Sequence, residues 1–211
     1  MSLAYQLDSE SAKEGSGNVG NYITDTGPYT GQIIMARAVI SSKETQGIEF
    51  TFQGADKREA RFTLWTQNAQ GEQIWGYKQL MALMTCMKVR SINPIQKVVK
   101  VYCYDRKEMV DQQSDVYPDL MKPIGIVFQK ELYVNFNGED KSKVNFHSAF
   151  DPQTKQMAKE ILDKEEAKIL ENIIAGLQDK DSRAKSSLGQ APGQGGAYND
   201  GVNPELDDLP F

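Results

Sequence analysis

Lys100, Tyr102, Tyr104 and Arg106 alternate along one stretch of this chain, with Val99, Val101 and Cys103 between them. In a β-strand, a period of two sends the two sets to opposite faces. The valine and cysteine face suits a core. The other face then carries phenol rings between cations, a combination that stacks on planar groups and holds anions. A second stretch repeats the arrangement, with Arg61 and Trp65 opposite Phe62 and Leu64, and Arg37 adds a cation on an earlier strand. Rings that stack on unpaired bases, beside cations that follow phosphates, hold a nucleic-acid single strand without reading its sequence. Stacking contributes about 1–3 kcal/mol per base, so two or three such rings matter. Tyrosine also suits the wet face of a sheet for packing reasons alone. The stripe therefore needs an independent signal beside it.

The last nine residues, NPELDDLPF, supply that signal. Glu205, Asp207 and Asp208 carry the charge, with no Lys or Arg among them, and Leu209, Pro210 and Phe211 follow. A partner's basic patch can take the carboxylates while an apolar pocket takes the phenyl ring and a cation takes the terminal carboxylate. Pro210 cannot continue a helix, so the end is expected to stay extended. An acidic tail with no specific role would account for the charges but not for the apolar end.

The Asp-Asp-Leu-Pro-Phe ending resembles the acidic tip of bacterial and phage single-stranded DNA-binding proteins. The resemblance covers about the last five residues and is fixed in position. It implies an oligonucleotide-binding (OB) fold that holds DNA and a tip that recruits replication, recombination and repair enzymes. It implies no cofactor, and a place in the cytoplasm of a bacterial host. The chain departs from the typical bacterial member in its N-terminus, in its longer body, in an extra helix, and in Leu209 where Ile is usual. Those departures favour a phage replication or recombination protein.

The charge distribution agrees with this expectation. The formal net charge is −5, but residues 28–150 hold 16 Lys and Arg against 13 Asp and Glu, a balance of +3. Residues 1–27 have one Lys against four acidic residues, and residues 181–211 have two basic against five acidic. A mildly basic body between acidic ends fits a DNA-binding core with a tail that competes for it.

The elements that would position these residues follow from periodicity. Residues 32–40, 47–53 and 58–66 read as three strands, the second with Ile48, Phe50 and Phe52 on one face. Residues 74–87 are helical, with Tyr77, Leu80, Met81, Met84 and Met87 at three- and four-residue steps. Trp75 and Tyr77 at its entrance are expected to cap the core. Residues 98–105 return to a strand, and 106–118 read as a polar, Asp-rich loop. Residues 124–128 and 131–136 add one or two strands before an Asn137–Gly138 turn, and 144–150 a short edge. Three strands, a helix and further strands is the order of an OB barrel with its helix between strands 3 and 4. A β-sandwich or another α+β fold accepts the same order.

Residues 151–180 are expected to form one amphipathic helix, its stripe packed on the barrel or used between copies in a homo-oligomer, packing being preferred. Residues 1–27 read as an acidic flexible leader, 28–150 as the DNA-binding domain, 181–202 as a Gly/Ser/Gln-rich linker and 203–211 as the tip. That linker would let the tip explore roughly 25–30 Å.

Catalysis finds little material. One histidine, His147, and two cysteines, Cys86 and Cys103, cannot complete a four-ligand zinc site. The cysteines are expected to be buried and reduced. The glycines at 15, 17 and 20 match a dinucleotide fingerprint formally, but no strand precedes them and no helix follows. The acidic residues at 111–119 fall in the expected loop. No window is apolar for the length a membrane helix needs. The chain is therefore read as non-catalytic, without a metal and without a membrane partner. The alternative is a protein-interaction adaptor with no DNA affinity.

Overall fold

The computed structural model describes residues 21–103, 106 and 108–183, the side chains of Tyr102 and Cys103 excepted. Strands dominate it. β1 (Gly27–Ile40), β2 (Gln46–Gly54) and β3 (Glu59–Gln67) form an antiparallel meander. α1 (Trp75–Cys86) follows, then a β4 (Ile95–Cys103) and β5 (Glu108–Val116) pair. A short 3₁₀ turn (Pro118–Leu120) leads to β6 (Pro123–Val134) and β7 (Asp140–Phe150). Two helices, α2 (Ala158–Asp163) and α3 (Ile169–Gly176), and a two-residue β8 (Lys180–Asp181) complete the described chain.

β1 organises the sheet because it is long enough to serve several partners. It pairs with β2 along one edge, and on the other with β6 from Gly27 to Gln32 and with β5 at Arg37. A register shift between Ile33 and Met35 marks the change of partner, as a bulge that bends a strand would. The alternation in β2 and β3 behaves as expected. Ile48, Phe50, Phe52, Phe62 and Leu64 are buried, and they meet Leu80, Leu83 and Met84 of α1 in the main core.

The sheet is open. The order of elements in the sequence leads to the expectation of a closed OB barrel, but β3 and β7 share no backbone ladder; the contacts between them include a stack of Phe62 on Phe146, with centroids 5.1 Å apart. Other differences from the sequence reading have local causes. Residues 106–118 were expected to form a loop, yet Glu108–Val116 is a strand paired along its length with β4. Its polar sequence hides it because most of its residues are exposed on both faces of a two-stranded ribbon. The strands expected at 124–128 and 131–136 are one strand, and the short edge at 144–150 begins at Asp140.

The single helix expected over 151–180 is two helices, broken at Lys164, which is left-handed at φ 56°. One buried carboxylate caps both. Glu160 accepts hydrogen bonds from the backbone N–H groups of Met157 (2.8 Å), Lys168 (2.6 Å) and Ile169 (2.7 Å). Burial opposes ionisation of Glu160, but these donors outweigh it and lower its pKa. Leu170 of α3 packs on Val127 and Phe150, with Ile173 and Leu177 beside it, so the stripe is used for packing.

Described contacts also lie past the expected boundaries at both ends. Ile23 is buried in the core, held by its N–H to Glu59 O at 2.8 Å. At the other end β8 pairs in parallel with β6, and Ser182 and Lys180 both bond Glu131 at 2.6 Å. Burial alone would raise the Glu131 carboxyl, but Lys180, Ser182 and Asn145 hold it down at about 2. Residues 1–20, the linker from 184 and the tip at 203–211 lie outside the described residues. No helix among the described residues is long and apolar enough to cross a membrane.

Candidate nucleic-acid interface

Alternation in the β1–β2–β3 meander sends its apolar side chains inward and builds an outer face from what remains. Register places Arg37 opposite Glu49, Glu49 opposite Thr63, and Thr51 opposite Arg61. The β4–β5 ribbon lies over part of this face. Val99 is buried although it belongs to neither core cluster, while its neighbours Val98 and Lys100 are exposed. Val99 and Val101 meet Ile34 and Met35 across a groove of about 230 Å³, which Arg37, Glu49, Thr51, Glu59, Arg61 and Lys100 also line. That volume suits part of an extended chain rather than a whole small-molecule site.

Three of the residues singled out from the sequence thus come together. Arg37, Arg61 and Lys100 stand on three strands and share the groove. Arg37 is not a bare cation, for its Nε donates to Glu49 Oε1 at 2.7 Å and both side chains are mostly covered. Glu59 accepts from Gln53 Nε2 at 3.2 Å. Arg61 and Lys100 are exposed. With two carboxylates against three cations, the groove is only mildly basic, and its attraction for phosphate is correspondingly local.

Trp65 shares the outer face of β3 but stands at its far end. Its Cε3 lies 2.9 Å from where a Gly47 side chain would begin, so the glycine makes room for the indole. The backbone of Tyr102 belongs to β4, paired with Met109. Tyr104 lies outside the described residues, as does the Tyr102 side chain, and Arg106 is exposed in the turn. The expected alternation of β4 therefore holds for Val99 and Lys100. Its valine face packs on the outside of the meander rather than on the main core.

Sequence reasoning passed over Glu49 and Glu59, which line the groove beside the cations. The same period-two pattern that picked out Arg61 would have found them. It also placed Trp75 as a cap, whereas Trp75 is 68% exposed with Lys78 Nζ 5.5 Å from its ring centre. Cys86 is buried, as expected, and burial pushes its thiol up to about 12. Among the described residues no cluster of His, Cys, Asp and Glu is arranged to hold a metal ion. No protein-family model matches the sequence, and no curated protein matches it.

Proposed function

We propose that this chain is a non-catalytic single-stranded DNA-binding protein that serves replication, recombination or repair. The observation that carries the reading is that Arg37 and Arg61, both singled out from the sequence, line one groove on the outer face of the meander, with Lys100 on the strand that borders it. Arg61 and Lys100 would follow phosphates, and Trp65 and the ribbon tyrosines would stack on bases. An OB-type architecture fits as well. The path β3-β2-β1-β6-β7, with a helix after β3, has the strand order of that barrel if β4 and β5 are an inserted ribbon. The Asp-Asp-Leu-Pro-Phe end supports a recruiting role for residues 203–211, and the whole resembles a phage-type protein of this class.

The test is a titration of labelled single-stranded and duplex oligonucleotides of equal length at low and high salt. Single strands should bind more tightly, because stacking needs unpaired faces, and salt should weaken binding. Replacing Arg61 and Lys100 together with Ala should reduce the salt slope by about 1.4, two single-strand phosphate contacts' worth. A chain ending at residue 202 should bind DNA at least as well and should no longer retain partners from infected or host lysate. No affinity for any single strand would overturn the reading and leave the adaptor.

A further inference from the structure

The groove holds a carboxylate where a site built only for phosphate would have none. Glu49 and Arg37 are joined through one hydrogen bond, Nε to Oε1, and among the described residues neither side chain makes another. The pair therefore has Glu49 Oε2 left as an acceptor and the two Arg37 Nη groups left as donors. Ile34 and Met35 on one side, and Val99 and Val101 on the other, bound the same groove with apolar surface.

We infer that the Arg37–Glu49 pair gives this groove a preference for cytosine over thymine, an inference that rests on the single-strand-binding reading above. An acceptor beside donors is the complement of the pairing edge of cytosine, whose exocyclic amine donates while N3 and O2 accept. Thymine presents the opposite order at two of those positions, with O4 facing the carboxylate and N3–H facing a guanidinium donor. A carboxylate accepting from the cytosine amine and an arginine donating to base acceptors are both established forms of base recognition. The apolar walls would hold the ring plane while the pair reads its edge. The mismatch leaves a carboxylate desolvated against a carbonyl, which is costlier than a merely absent bond.

The experiment compares oligonucleotides of 5-methylcytosine and of thymine, equal in length. They share ring and methyl group and differ only at the pairing edge. The intact protein should favour the 5-methylcytosine strand by roughly five-fold or more, the lower end of what one matched pair contributes. Glu49→Gln should bring the ratio close to one while raising affinity for both strands, since a negative charge leaves the groove. Glu59→Gln removes a neighbouring groove carboxylate that has no arginine partner among the described residues, and it should raise affinity while keeping the preference. Equal binding of both strands by the intact protein, or an equal fall in the ratio for the two variants, overturns the inference while leaving single-strand binding in place. Failure to bind either strand overturns the underlying reading instead.

Discussion

The rings of Phe62 and Phe146 stack at 5.1 Å between centroids and 23° between planes, joining β3 to β7 where no backbone ladder does. Phe62 also stacks on Phe50 and meets Phe128 edge-on, so it ties β3 to three other strands of the core. The open side of the sheet is held by side chains. That places the stability of the groove-bearing meander partly in the hands of a distant strand.

Phe62→Ala should therefore destabilise the protein by about 3–5 kcal/mol, the usual cost of deleting a buried phenyl ring. Phe146 is only partly buried, and its replacement should cost less. A double-mutant cycle in urea should give a coupling of about 0.5–1.5 kcal/mol between the rings. Strict additivity would mean that β3 and β7 do not support each other.

Acid should loosen the C-terminal elements through two carboxylates. Glu131 ordinarily titrates near 4.5 and is held at about 2 in the fold; Glu160 is lowered too. A depressed folded pKa contributes stability that is fully present above the unfolded value and is lost as pH falls through the folded one. Denaturation midpoints should therefore fall between pH about 4.5 and about 2, and Glu131→Gln should flatten part of that fall. Glu160→Ala should cost roughly 2–4 kcal/mol at neutral pH, since it strips charge-assisted bonds from the ends of two helices. A pH profile unchanged by Glu131→Gln would show that the β8 contact adds nothing to stability.

The chain has two tryptophans, and the structure separates them. Trp65 lies on the face that carries the groove, and Trp75 is exposed at the start of α1. Saturation with single-stranded DNA should quench fluorescence in Trp75→Phe and leave Trp65→Phe nearly unchanged. Trp75→Phe should also shift stability by less than about 0.5 kcal/mol, as expected for a surface position. Quenching confined to Trp75 would move the interface to the helix side.

What the sequence determined by itself was whatever depends on near neighbours. Alternation placed Ile48, Phe50, Phe52, Phe62 and Leu64 inward and Arg61 outward, and three- and four-residue steps located α1. The tertiary structure decided what depends on partners distant in the chain. Glu108–Val116 is a strand because β4 satisfies its backbone, and its own side chains carry almost no apolar pattern to announce that. The charged gap at 164–168 in the stripe was legible as a place where one helix leaves its packing surface, but not as a break; there the chain turns outward and Glu160 restarts the helix by capping both pieces. Alternation could not say that the buried face of β4 would lie on the outside of another sheet layer. Only the folding of the ribbon over the meander set Arg37, Glu49, Arg61 and Lys100 around one groove.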